Sequence, residues 1–164
     1  MVTVMLRLSS ISKLPNVPAV YVLYGGKEGS RYPAYVGVAD KLRNRVEQHL
    51  VRRDSSVTTS VSAVSLNPDY VTEVRWWEHT LFDSRDSLEA AELVAFEFFE
   101  PALRSRGNPT KRAVELSVEA EFQGEMKRLF CGEATGQLTI LTLQDALSRI
   151  DKLEERVKTL EKRR

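Results

Sequence analysis

The first clear alternation along the chain is a run of valine and tyrosine, Val20-Tyr21-Val22-Leu23-Tyr24. A second run of the same character ends in Tyr35-Val36-Gly37. Gly25-Gly26 and Gly29-Ser30 lie between them, so the two runs are predicted to form a β-hairpin. Pro33 sits just before the core of the second run, which places that strand late or at a sheet edge. From Leu42 the period changes: Leu42, Val46 and Leu50 recur every fourth residue, and Arg43, Arg45, His49 and Arg52 fill the positions between. That spacing predicts a basic amphipathic helix. Before the hairpin, Val2 to Leu8 alternates loosely and reads as a short edge strand or an unattached end. Residues 54–67, rich in serine and threonine, read as a loop with a short strand at Val57 to Val64.

Asn67-Pro68-Asp69 then marks a turn. Tyr70 to His79 follows as a third strand, carrying Val71, Val74, Trp76 and Trp77. Asp83 to Asp86 offers helix caps before a broadly apolar helix from Ser87 to Glu100, which Pro101 stops. On this third strand one tryptophan faces the core. Arg112 to about Phe130 is predicted to be another amphipathic helix, and Gly132 to Gly136 breaks the pattern.

Beyond that break the period becomes seven. Leu143, Ile150 and Val157 form one series, and Ala146, Leu153 and Leu160 the other, as at the a and d positions of a heptad repeat. A helix cannot bury such a seam alone. It either pairs with a second copy, making a homodimer, or packs back on its own domain. The organisation expected is a domain over residues 14–130 followed by a coiled-coil or oligomerisation helix over 139–164.

With 164 residues, 42% of them hydrophobic, the chain can bury one ordinary core. No stretch approaches the roughly 18 uninterrupted apolar residues of a membrane helix, so no membrane association is expected. The single cysteine, Cys131, excludes an internal disulfide and has no metal-ligand spacing around it, which favours a cytoplasmic protein. The net charge of +1 does not announce nucleic-acid binding, yet Lys41, Arg43, Arg45, Arg52 and Arg53 are close together. Tyrosine, arginine, histidine and glutamate are a parts list for phosphodiester hydrolysis, in which a cation grips phosphate and a proton acceptor activates water. Taken singly, each of these residues has an ordinary structural reading.

Their joint order is more specific. Ala19-Val20-Tyr21 and Tyr35-Val36-Gly37 on adjacent strands, then Leu42-Arg43-Asn44-Arg45 with His49 one turn later, then Glu92 ahead of Pro101 and Asn108, resemble the GIY-YIG nuclease family. The resemblance covers about Leu14 to Asn108. It implies an α/β fold of the α+β type: a small, mainly antiparallel three-stranded sheet flanked by helices. It also implies a metal-dependent endonuclease that hydrolyses DNA. In that reading Tyr21, Tyr35, Arg45, His49 and Glu92 are catalytic, with Glu92 holding Mg²⁺ or Mn²⁺. Gly37, Arg43 and Asn108 contribute to substrate binding. Ala19 replaces the family's first glycine, and Val38 stands where the family often has lysine. The alternative is a catalytically silent GIY-YIG-like module that binds nucleic acid or protein and oligomerises through its last helix.

Overall fold

The structure is a computed structural model, and it describes residues 2–27, 29–59, 65–104 and 107–163. Four antiparallel strands form one sheet in the order β2-β1-β3-β4: β1 Ala19–Gly25, β2 Tyr32–Ala39, β3 Val71–Trp77 and β4 Gly136–Thr139. The fold is α+β, as expected, but the sheet has four strands rather than three. The added strand pairs Gly136 with Trp76 and Leu138 with Val74. It is only four residues long and holds a single sizeable apolar side chain, too little for alternation to register.

Strand β1 organises the sheet because it is buried along its whole length, from Ala19 to Gly25. Tyr21 and Leu23 point to one face and Val20, Val22 and Tyr24 to the other, which is the two-residue period of a central strand. On the first face lie α1 (Val2–Ile11), α2 (Leu42–Glu47) and the turn that follows α2, contributing Ile11, Leu42, Val46 and Leu50. On the second lie α4 (Arg85–Phe99), α5 (Lys111–Val118) and α6 (Ala120–Cys131), contributing Leu88, Ala91, Val94, Ala113, Phe122 and Met126. The sheet is thus the middle layer of three. Trp77 faces the second layer and is buried among aromatic rings, whereas Trp76 turns to the opposite face. Residues Ala102 and Leu103 hydrogen-bond the carbonyls of Pro33 and Ala34, covering the edge where Pro33 was expected.

Three elements differ from their sequence reading. Residues 2–11 are helical, not an edge strand; their β-branched residues disguise the period, and the buried position Arg7 does not read as core. Its guanidinium donates to the carbonyls of Pro68, at 2.9 Å, and Leu141, at 3.3 Å, tying α1 to the end of the ladder where β3 begins and β4 stops. In the serine-rich segment Ser56–Thr59 is a short helix, α3, and residues 60–64 of the expected strand lie outside the described residues. The helix expected from Arg112 to Phe130 breaks at Glu119, whose backbone is extended (φ −63°, ψ 124°). Ala113 and Ser117 form one buried series, and Phe122, Met126 and Phe130 a second series one residue out of phase with it. The break resets the phase so that both series face α4.

The last helix, α7 (Leu143–Glu161), begins with a capping box between Thr142 and Asp145. Its buried Ala146 seats it on the domain, while every residue from Leu147 to Arg163 is exposed. Among the described residues no helix is long and apolar enough to cross a membrane.

Strand β4 is held against Trp76 by a glycine. A Cβ at Gly136 would sit 2.1 Å from the indole ring. Gly136→Ala is therefore expected to lower unfolding free energy by about 1–3 kcal/mol. Gly124→Ala, in α6 with open space around it, is expected to raise it by about 0.4–1 kcal/mol. Urea denaturation of both variants checks the pair.

Candidate active site

The hairpin register explains why two tyrosines meet. Tyr21 pairs with Gly37 and Leu23 with Tyr35, so Tyr21 and Tyr35 are diagonal neighbours on the same face. Their ring centroids are 6.1 Å apart. Gly37 is required between them: a Cβ there would lie 2.6 Å from the Tyr21 hydroxyl and 2.9 Å from the Tyr35 ring. Its role is to make room for both phenols, as close-packed aromatic side chains with no free volume could not move aside.

Helix α2 brings His49 to this pair. Its last turn widens into a π-helical segment, Gln48–Arg52, and Arg53 adopts a left-handed conformation (φ 56°). The chain reverses there and returns Ser55 to the imidazole. His49 Nε2 lies 2.7 Å from the Tyr21 hydroxyl, and Nδ1 lies 2.7 Å from Ser55 Oγ. Ser55 Oγ is in turn 3.0 Å from Thr58 Oγ1, itself 3.0 Å from the Ser55 carbonyl. Tyr21, His49 and Ser55 are all fully buried, so the chain of bonds is sealed on that side.

The polarity of this chain follows from its neighbours. Arg45 has donors only, so the lone pairs of the Tyr21 oxygen face it and the phenol proton goes to His49 Nε2. His49 Nδ1–H then donates to Ser55, Ser55 to Thr58, and Thr58 to the backbone carbonyl. Every donor has an acceptor with a neutral imidazole. Burial, followed by the charge of Arg45, lowers the His49 pKa to about 3. Burial also raises the Tyr21 hydroxyl well above its ordinary value, with Tyr35 adding to the rise and Arg45 opposing it. Tyr35 is raised too, by burial first and then by the negative charge of Glu92, again opposed by Arg45. Both phenols keep their protons near neutral pH.

These mutual effects gather Tyr21, Tyr35, Arg45, His49 and Glu92 into one electrostatic unit drawn from β1, β2, α2 and α4. Arg45 donates to Gln48 Oε1 at 2.6 Å, which fixes its guanidinium. It lines an open cleft of about 500 Å³ with Val38, Lys41, Asn44, Arg52 and Arg85. Glu92 is half-buried on α4. Its helix neighbour Glu89 is occupied differently: Arg85 donates to one carboxylate oxygen at 2.8 Å and the Thr110 amide to the other at 2.9 Å. Glu89 pins the loop before α5 and is structural. Among the described residues no group of three or more His, Cys, Asp and Glu side chains could cage a metal. A single hard carboxylate fits Mg²⁺ or Mn²⁺ with water and phosphate oxygens completing the coordination.

Two sequence-derived candidates do not join the unit. Arg43 donates to the Leu14 carbonyl at 2.7 Å, tying α2 to the segment before β1. Two residues apart on a helix, Arg43 and Arg45 cannot share a face. Asn108 is exposed in the loop ahead of α5, and among the described residues no hydrogen bond directs it to the tyrosines. Conversely, Ser55, Thr58 and Gln48 belong to the site without having been singled out. Ser55 and Thr58 fall in a serine-rich stretch that carries no period, so nothing local marks them.

Comparisons of the chain with protein-family models, curated proteins and solved structures find no match.

The buried imidazole has a measurable signature. The unfolded chain binds its histidine proton below about pH 6.5, whereas folded His49 resists protonation until about pH 3. The stability associated with neutral His49 is therefore complete above pH 6.5 and lost as pH falls through that window, by up to ~1.4 kcal/mol per pH unit. Urea unfolding measured from pH 7 down to about 5 is expected to show this slope in the wild type and a shallower one in His49→Gln. Equal slopes would contradict a buried neutral imidazole.

Proposed function

We propose that this chain is a metal-dependent endonuclease of the GIY-YIG type that hydrolyses DNA phosphodiester bonds. The observation that carries the reading is a buried Tyr21–His49–Ser55 hydrogen-bond chain whose phenol lies next to Arg45, a residue that lines the cleft. A purely structural core has little use for a buried phenol–imidazole pair beside a guanidinium, because polar groups taken out of water need every partner satisfied.

In this mechanism the DNA backbone enters the cleft, where Lys41, Arg45 and Arg52 offer positive charge and Arg85 pairs with the Asp40 carboxylate at 3.5 Å. Arg45 grips non-bridging oxygens of the scissile phosphate and offsets charge as it builds in the transition state. A water attacks phosphorus. Tyr21 is fully buried and too weak an acid to wait as tyrosinate, so the water must reach its hydroxyl past Arg45; it then takes the water's proton while its own passes to His49 Nε2. The P–O bond to the leaving oxygen breaks, and a solvent proton neutralises that oxygen. The approaching phosphate also favours imidazolium formation, since a nearby negative charge raises a histidine pKa. Tyr35, held against both Tyr21 and His49, positions the pair. Glu92 would hold the divalent ion, which supplies Lewis-acid stabilisation to phosphoryl oxygens when bound.

One observation favours the alternative, a module that binds nucleic acid without cutting it. Val38 lines the cleft where a lysine would offer a further cation. Lys41, from the turn before α2, lines the same cleft and can take that part.

Nicking of supercoiled DNA with Mg²⁺ or Mn²⁺ separates the two. The wild type is expected to cut, Glu92→Gln to lose metal-dependent cutting, and Tyr21→Phe to lose about 10²-fold or more in rate. DNA affinity should stay within a few-fold for both variants. Binding without cutting by the wild type would establish the silent module. Cutting unaffected by Glu92→Gln would overturn the assigned site.

A further inference from the structure

The exposed face of α7 is unlike the rest of the surface. Ile150, Leu153, Val157 and Leu160 are each between 45% and 62% exposed, and Leu143 and Leu147 extend the same stripe. The helix is 19 residues long, and among the described residues every position from Leu147 to Arg163 is exposed. Isolated helices of that length are marginal in water, and this one has a narrow apolar seam with no cover. Its root, in contrast, is fixed: Ile140 and Ala146 are buried, and Arg7 holds the Leu141 carbonyl. A firmly seated base with an uncovered shaft is the geometry of a helix built to pair with another.

The charges on either side of the seam say with what. With Ile150 and Val157 at a and Leu153 and Leu160 at d, the g positions are Arg149, Arg156 and Arg163, and the e positions include Glu154 and Glu161. In a parallel pair each g residue faces the following e residue of its partner. Arg149 then meets Glu154, and Arg156 meets Glu161, each pairing occurring twice by symmetry. In an antiparallel pair g faces g and e faces e, so arginine would meet arginine and glutamate would meet glutamate. The seam agrees: β-branched residues at a with leucine at d favour two parallel strands.

We propose that α7 forms a parallel, in-register, two-stranded coiled coil with a second copy of this chain, specified by the Arg-g and Glu-e pattern. The two domains then sit at the same end of the coil, related by a two-fold axis along it. Their Arg45 clefts are symmetry mates on one assembly, an arrangement that suits two strands of one duplex. The association does not depend on the nuclease reading, because it is measured by mass rather than by cleavage.

Sedimentation equilibrium of the full chain from about 1 to 100 µM tests it. The mass is expected to rise from monomer to dimer across that range. Glu154→Arg/Glu161→Arg, with arginine on both flanks, and Arg149→Glu/Arg156→Glu, with glutamate on both, are each expected to weaken self-association by at least about 10-fold. An equimolar mixture of the two is expected to dimerise again, which also shows that both variants are folded. Orientation is read in a Cys131→Ser background: Leu160→Cys is expected to form a disulfide-linked homodimer on oxidation. Antiparallel packing would carry the two copies of position 160 to opposite ends. A wild type monomeric throughout, charge variants that associate as the wild type does, or a dimer that does not cross-link at position 160 would each overturn the proposal.

Discussion

The hydrogen bond between Tyr21 and His49 constrains more of this molecule than any other contact. It joins the middle of the central strand to the far end of α2, across the layer that contains Leu42, Val46 and Leu50. Both partners are removed from water, so each depends on the other for satisfaction, and an unpaired buried imidazole or phenol costs about 1–3 kcal/mol. Several local features exist only in its service. Gly37 clears space over the phenol, the π-helical turn and left-handed Arg53 bring Ser55 around to Nδ1, and Thr58 completes the chain. Irregular helical turns of this kind are frequent where a side chain must be aimed.

The same bond sets the chemistry that the site can support. Burial lowers His49 and raises Tyr21, so the resting pair is neutral and the proton stays on the phenol. Arg45, held by Gln48 at the cleft wall, is where an anion would arrive. Glu92 comes from α4, the helix of the opposite layer, and its charge acts on both Tyr35 and Tyr21. A coiled coil through α7 would then set two such sites on one frame without altering either.

Much of this was legible in the sequence, and the reasons for the rest are physical. The hairpin, β3, the basic helix and α4 all carry strong periods, and Ser84 caps α4 within the predicted Asp83 to Asp86 window. Tyr21, Tyr35, Arg45, His49 and Glu92 were marked by their joint order along the chain, and they do form one unit. Arg43 was marked by the same motif but serves Leu14, because residues two apart on a helix diverge in direction. Ser55 could not be seen, since its importance comes from the reversal at Arg53, which non-glycine residues seldom adopt. Strand β4 and helix α1 were missed for opposite reasons. One is too short for a period, and the other hides an arginine in a core position and shows β-branched residues at its start.

The account stands on the claim that buried His49 is a neutral acceptor for the Tyr21 proton. Nitrogen-15 NMR of the histidine side chains in the full chain addresses that claim directly. Two histidines make the assignment simple, with His49→Gln identifying the signal. Between about pH 5 and 8, the predicted spectrum has a protonated Nδ1, an unprotonated hydrogen-bonded Nε2, and no titration. Protonation of Nε2 instead, or conversion of His49 to imidazolium near pH 6, would contradict the proposed direction of the chain and the proton path built on it.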